Sequence, residues 1–285
     1  MALAQRSYSE LVPPLLALIA RANNAVMEVY QGRVLLNPSL KSDASPVTAA
    51  DLAAHKLLVD ELPSLLANTP ILSEEGELPS YAIRQHWERY WLIDPLDGTK
   101  EFLAKNGEFT VNIALIEHGY PVLGVVSLPV SGEVFYGSVG QGAYKLTPDA
   151  SQQQIFAQTL PCGQDTLSCV RVLMGRRNTN DDTQSLKCTL NQRFPFVDYA
   201  QSGSSLKFCR VAEGKADLYP RLAPTREWDT AAAQAIVEAA GGYVVDAAFD
   251  RLRYNTKDSV INPHFYVVGK DKQRWQAILQ RWPED

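Results

Sequence analysis

The sequence predicts an α+β fold of mixed sheets with helices between them, and three observations carry that expectation. A continuous apolar run at 90–93 ends abruptly in Asp94-Pro95-Leu96-Asp97-Gly98-Thr99. Alternating segments follow between Phe109 and Ser138, separated by tight turns. An alanine-rich stretch at 230–240 then lies among short apolar strands.

In chain order, residues 15–30 place Leu15, Leu18, Ile19, Ala22 and Val26 near one helical face. The apolar run at 11–20 is too short to span a bilayer and carries two prolines, so it reads as a globular helix starting near Pro13. Residues 37–45 are polar and read as a mobile loop. Thr48 and Asp51 have capping-box spacing ahead of a helix at 52–62. Residues 70–73 form a short strand candidate that delivers Glu74 and Glu75. Residues 90–93 read as a buried strand that Pro95 helps to break. Gly98 allows a positive φ or a close approach, and Thr99 opens a short helix through Leu103.

Residues 109–116, 122–128 and 133–138 then form an antiparallel meander, with a turn at Gly119-Tyr120. Residues 147–164 are polar and strand-poor. They mark an expected boundary between an N-terminal α+β subdomain (1–150) and a C-terminal α/β subdomain (151–285). In the second half, 170–174 is a strand, 205–214 a helix, and Leu218-Tyr219 a short strand. The helix at 230–240 is stopped by Gly241-Gly242. Strands at 243–245 and 265–268 precede a terminal helix at 272–281.

Composition narrows the function classes. A chain of 285 residues with 46% hydrophobic and 21% charged residues can bury a substantial core. A net charge of −5 gives no support to broad binding of a nucleic-acid backbone, while a local basic pocket stays compatible with it. Cys162, Cys169, Cys188 and Cys209 lack metal-finger spacing, so reduced thiols in the cytosol are expected. His55, His86, His118 and His264 show no ligand spacing and read as structural or surface residues.

The chemistry concentrates in the turn after 90–93. Asp94 and Asp97 project from the strand end, and hard divalent cations require oxygen ligands. Helix-opening N–H groups at Gly98 and Thr99 suit a phosphate. The same residues are common in ordinary turns. Taken singly, Asp51 also reads as a capping-box acid, Asp229 as a helix cap and Glu74 as a surface acid at a strand end.

Their joint occurrence resembles a known family. Ile93-Asp94-Pro95-Leu96-Asp97-Gly98-Thr99, the upstream Ser73-Glu74-Glu75 and the downstream Trp228-Asp229-Thr230-Ala231-Ala232 are similar to the inositol monophosphatase superfamily. Its members are Mg²⁺-dependent, lithium-sensitive phosphomonoesterases. Lys100-Glu101-Phe102, the run from Asn106 to Asn112 and Gly203-Ser204-Ser205-Leu206-Lys207-Phe208-Cys209 resemble its bacterial 3'(2'),5'-bisphosphate nucleotidase branch.

The resemblance implies a layered α-β-α-β-α sugar-phosphatase fold and a set of roles. Glu74, Asp94 and the Leu96 carbonyl would hold one Mg²⁺. Asp94, Asp97 and Asp229 would hold a second, and Asp51 would lie near a weaker third. Thr99 paired with Asp51 would orient the attacking water, and Gly98 and Thr99 would meet the phosphate. Glu74, Leu96, Asp97 and Asp229 would therefore also touch substrate. Ser204, Lys207 and Arg221 would contact the nucleotide's second phosphate, and Glu75 would support the site. Met174-Gly175-Arg176-Arg177-Asn178 stands where relatives often carry a Ser-His pair near the adenosine, and Asn178 replaces the histidine, which leaves the base or ribose contact open. Arg176 and Arg177 read either as compensating phosphate binders or as solvated charges.

The resulting expectation is removal of the 3'-phosphate of adenosine 3',5'-bisphosphate, within sulfate assimilation and nucleotide recycling. The expected setting is the cytoplasm, with the inner face of the membrane also open to this branch. The expected partner is a small nucleotide bisphosphate, with no nucleic acid and no transmembrane segment; oligomeric state is left open. An inositol or sugar monophosphatase on the same metal site is the near rival. A non-catalytic metal- and nucleotide-binding sensor is the rival of another class.

Overall fold

The computed structural model describes residues 8–36, 39–40, 46–160, 169–176 and 180–279. Helix α1 (Tyr8–Tyr30) is followed by a two-residue ladder, β1 (Ser39–Leu40) with β2 (Pro46–Val47), and by α2 (Ala49–Leu65). A seven-stranded sheet comes next. It comprises β3 (Ile71–Ser73), β4 (Arg89–Asp97), β5 (Thr110–Glu117), β6 (Tyr120–Ser127), β7 (Val134–Ser138), β8 (Gly142–Leu146) and β9 (Gln152–Ile155), paired in that order. Between its strands lie α3 (Tyr81–Arg84) and α4 (Thr99–Leu103). Among the described residues of this sheet, β3 and β4 pair in parallel and the remaining neighbours are antiparallel.

The second half adds β10 (Cys169–Met174), α5 (Asp181–Arg193), β11 (Phe196–Gln201), α6 (Leu206–Ala212) and β12 (Leu218–Arg221). A 3₁₀ turn (Glu227–Asp229), α7 (Ala231–Ala239), β13 (Tyr243–Asp246), β14 (Phe265–Val268) and α8 (Lys272–Leu279) follow. Its five-stranded sheet has the order β11-β10-β12-β14-β13.

Strand alternation builds the layers. Trp91 and Ile93 of β4 pack with Leu15, Leu18, Ile19, Ala54 and Leu58 from α1 and α2. Tyr90 and Leu92 of the same strand face the opposite core, with Phe208 of α6 and Ile236 of α7. That core is closed by Tyr219, Val244, Phe265 and Val267 of the second sheet. The second sheet's other side places Val170, Val172 and Tyr266 with Leu186 and Leu190 of α5 and Trp275 of α8. The order is α-β-α-β-α, the layering the resemblance implies. Alanines make α7 narrow enough to lie on the first sheet. A Cβ on Gly124 would stand 2.0 Å from the Ala232 carbonyl oxygen.

Several elements differ from expectation. Helix α1 runs through Pro13 and Pro14 from Tyr8, not from near Pro13. Leu11 is buried and the Tyr8 hydroxyl donates to Glu117 at 2.7 Å, so tertiary contacts sustain the extra turns. The segment 147–164 is not strand-poor, because β9 lies within it and completes the first sheet. Strand β8 and helix α5 are additional elements. Helix α2 starts at Ala49, not Leu52, because Thr48 is its N-cap. Most of the expected loop at 37–45, Cys162, Arg177 and Asn178 lie outside the described residues. Among the described residues no helix is long and apolar enough to cross a membrane.

Candidate metal centre and active site

Parallel pairing of β3 with β4 sets Ser73 opposite Ile93, so Glu74 leaves one strand end beside Asp94. The Glu74 N–H donates to the Ile93 carbonyl at 3.2 Å and fixes that neighbourhood. Asp229 arrives from the other half as the last residue of the 3₁₀ turn, its Oδ2 accepting from the Arg226 N–H at 2.9 Å. One carboxylate oxygen each from Glu74, Asp94 and Asp229 lies within 4.8 Å of the others.

Asp94 is poorly compensated by protein partners. Asp94 is 1% exposed. Its Oδ1 accepts from the Leu96 N–H at 3.0 Å, while its Oδ2 is buried with no hydrogen-bond partner. Burial pushes the Asp94 carboxyl well above the usual range, and Glu74, Asp97 and Asp229 push it further. Burial followed by repulsion from Asp97 and Glu74 does the same to Asp229. An unpartnered buried carboxylate oxygen among clustered acids is costly unless a counter-charge arrives. A hard divalent cation with oxygen ligands meets that need, so the residues fit such an ion.

Asp97 stands beside the tight group. The β4–β5 ladder shifts register between Asp94 and Asp97. Asp97 Oδ2 accepts from the Ser205 N–H at 2.7 Å and the Ser205 hydroxyl at 2.9 Å. Burial raises its carboxyl, and the Lys207 charge and the Ser205 hydrogen bonds oppose that rise. Gly98 follows with φ 94°, the left-handed conformation that glycine adopts without strain. Helix α4 has only five residues, so any anion there meets the local N–H groups of Gly98 and Thr99 rather than a long helix dipole.

Asp51 contacts both Thr48 and Thr99. Its Oδ2 accepts from the Thr48 N–H at 2.8 Å and the Thr48 hydroxyl at 2.6 Å, closing the capping box. Its Oδ1 accepts from the Thr99 hydroxyl at 3.4 Å. Leu96, Thr99, Glu74, Asp97 and Asp229 line one cleft. Glu75 is absent from the acid triad, and its N–H donates to the Ser73 hydroxyl at 3.3 Å.

A second cavity of about 300 Å³ adjoins this cleft and shares Asp97, Gly98 and Asp229 with it. Ser204, Lys207 and Arg221 line it, as does Arg176. The buried Lys207 ammonium donates to the Ser204 carbonyl at 2.7 Å and the Ser202 carbonyl at 3.3 Å, and lies 5.0 Å over the Tyr219 ring. Burial pushes its pKa down to about 8; Asp97 opposes the shift and Arg221 adds to it. The Arg221 guanidinium donates to the Ala223 carbonyl at 3.0 Å and the Pro224 carbonyl at 2.8 Å. Ser204 has φ 41°, and its hydroxyl oxygen is buried without a hydrogen-bond partner. Arg176 donates to Glu108 at 2.7 Å, and Glu108 also accepts from the Gly203 N–H at 2.7 Å.

Sequence reasoning singled out neither Ser205 nor Glu108. Both lie inside quoted motifs, but no spacing rule chooses among adjacent serines or acids. Their partners lie far away in the chain.

The model of the inositol monophosphatase family matches residues 7–280. A Salmonella typhimurium protein named 3'(2'),5'-bisphosphate nucleotidase CysQ is 45% identical over 251 residues, covering 88% of this chain and 96% of that one. The Haemophilus influenzae protein of the same name is 34% identical and covers 95% of this chain and 97% of its own. Among solved structures, CysQ from Bacteroides thetaiotaomicron superposes with a TM-score of 0.75 at 38% identity, covering 88% and 94% of the two chains.

Proposed function

The chain belongs to the inositol monophosphatase family, and from that premise we propose that it is a 3'(2'),5'-bisphosphate nucleotidase. It would remove the 3'-phosphate of adenosine 3',5'-bisphosphate to give AMP and phosphate, in the cytosol and with Mg²⁺ as the cation. The observation that carries this reading is the junction of two cavities. The cleft lined by the acids Glu74, Asp97 and Asp229 shares Asp97, Gly98 and Asp229 with a pocket lined by Lys207, Arg221 and Ser204. A substrate with two phosphates fits such a pair: one at the acids for cleavage, one at the cationic pocket for recognition. The relatives named CysQ support the same substrate class.

Glu74, Asp94, the Leu96 carbonyl, Asp97 and Asp229 would hold the cations. When bound, divalent ions neutralise phosphate charge, acidify a water and stabilise the departing oxygen. The chain's own residues supply the rest. The Thr99 hydroxyl donates a hydrogen bond to Asp51 Oδ1. With its proton so directed, the Thr99 oxygen can accept a hydrogen bond from the attacking water and aim it at phosphorus. As the water oxygen bonds to phosphorus, its proton passes by way of the Thr99 hydroxyl to Asp51; the bond to the 3'-oxygen breaks, and that oxygen takes a proton from solvent water and leaves as a hydroxyl. The Gly98 and Thr99 N–H groups steady the phosphoryl oxygens. Lys207 and Arg221 hold the second phosphate at the other end of the substrate.

The test compares phosphate release from adenosine 3',5'-bisphosphate and from inositol 1-phosphate, with Mg²⁺ and with EDTA. Faster release from the bisphosphate, lost in EDTA, is the expected result. Preference for inositol 1-phosphate would overturn the substrate assignment, and no release from either would overturn the enzyme reading.

A further inference from the structure

We propose that Ser205 is a positioning residue of the cation site, holding the Asp97 carboxylate and the Asp229 main chain in the arrangement that receives the ion. The inference rests on the cation-dependent reading above. Ser205 is 1% exposed and precedes α6. A serine there is ordinarily an N-cap. This one has helical dihedrals, φ −65° and ψ −9°, and its side chain makes no capping hydrogen bond. Its hydroxyl is turned to other work.

Three groups surround that oxygen. The Asn112 side-chain N–H donates to it at 2.9 Å. Asp97 Oδ2 lies at 2.9 Å and the Asp229 carbonyl oxygen at 2.7 Å. A hydroxyl has one proton and two lone pairs. An amide NH₂ can only donate, so Asn112 takes a lone pair and the proton points toward the Asp97–Asp229 side. The Ser205 N–H also donates to Asp97 Oδ2, at 2.7 Å. The Thr110 hydroxyl reaches the same oxygen at 3.5 Å, so the protein's donors gather on Oδ2 and leave Oδ1 as the oxygen for a cation.

The elements joined here come from both halves of the molecule. Asn112 lies opposite Asp94 in the β4–β5 ladder. Asp97 ends β4, Ser205 precedes α6, and Asp229 ends the 3₁₀ turn. One buried hydroxyl therefore sets the spacing between a ligand of the first sheet and a ligand of the second half. Partners outside the ligand set orient ligands and tune metal affinity in this way.

The experiment is calorimetric titration of Mg²⁺ into the full chain and into Ser205→Ala, with melting temperature and kinetics on the same samples. The expected result is a rise in Kd of about ten- to a hundredfold, with kcat largely recovered at saturating Mg²⁺. In an Asp97→Asn background the same change should shift Kd by less than about twofold, since its route through Asp97 is already altered. If Ser205→Ala does not fold, Ser205→Cys keeps the size and supplies only a weak donor. An unchanged Kd in a folded variant, even with a lowered melting temperature, would overturn the inference. So would an undiminished effect in the Asp97→Asn background. If the unaltered protein binds no Mg²⁺, the cation-dependent reading falls with it. If that protein binds and hydrolyses while Ser205→Ala matches it, only the Ser205 inference falls.

Discussion

The acid cluster and the cationic pocket adjoin each other but are finished to different degrees. In the cluster, Asp94 keeps a buried oxygen without a partner, and three of the acids are pushed toward their protonated forms. In the pocket, Lys207 and Arg221 are already held by main-chain carbonyls. The first region needs an ion to be electrostatically complete. The second is preorganised, so its side chains lose little freedom when an anion arrives. Substitutions in the two regions should therefore fail in different ways, the first through metal and chemistry, the second through substrate choice.

The largest effect should come from Asp94→Asn. Losing a charge from the centre of the cluster forfeits several kcal/mol of cation-derived stabilisation, on the order of a thousandfold or more in rate. The metal-free protein should become more stable at the same time. Asp94 and Asp229 hold protons to higher pH in the folded chain than in the unfolded one. Metal-free stability contributed by these groups should thus be present below about pH 4 and be lost as pH rises through their raised folded values. Melting curves in EDTA from acid to neutral pH should show a shallower decline in Asp94→Asn. Near-normal turnover at limiting Mg²⁺, or an identical decline, would erase the contrast between the regions.

Thr99→Ala should act within the same region but spare the metal. A group that orients water works mainly in the transition state, typically on the order of a hundredfold. Mg²⁺ titration should stay unchanged while kcat falls. A normal kcat would reduce Thr99 to the opening residue of α4.

How far these regions could be read from the sequence follows from how local their signals are. The strand at 90–93 was legible as an apolar run, but its end was not: β4 runs from Arg89 through Pro95 to Asp97 instead of breaking at the proline, because its pairing with β5 resumes after a register shift. The acids at Glu74, Asp94 and Asp229 were readable through a resemblance, since residues so far apart carry no shared period. Strand β9 was missed because its sequence is Gln-Gln-Gln-Ile and only Ile155 is buried. An edge strand of that kind owes its existence to its ladder with β8, not to its own propensity. The order of the five-stranded sheet was equally hidden, being set by long-range pairing. Ser205 lay in plain view in its motif. Its role depends on Asn112 and Asp97, 93 and 108 residues away.

Lys207→Met tests the pocket more gently than truncation, because it keeps most of the buried volume. Loss of a charge-assisted contact costs about 1.5–3 kcal/mol, or roughly ten- to a hundredfold in kcat/KM. Adenosine 3',5'-bisphosphate should show that loss. Inositol 1-phosphate, with no second phosphate, should react as before. Equal losses on both substrates would move Lys207 into the reaction centre and merge the two regions.

The smallest effect separates them by pH alone. Burial lowers the Lys207 pKa to about 8, so the free enzyme begins to lose this charge just above neutrality. The dependence of kcat/KM on pH reports ionisations of the free enzyme. For the bisphosphate, kcat/KM should therefore fall as pH rises past about 8, by at most about a decade per pH unit. The decline should level off at the value of Lys207→Met. That variant should lack this alkaline limb, and so should inositol 1-phosphate as substrate. The acid cluster predicts no such difference between substrates, because both would present their cleaved phosphate to the same ions. An alkaline limb shared by both substrates and retained in Lys207→Met would assign it to the cation site. The pocket's charge would then be irrelevant to choosing a bisphosphate.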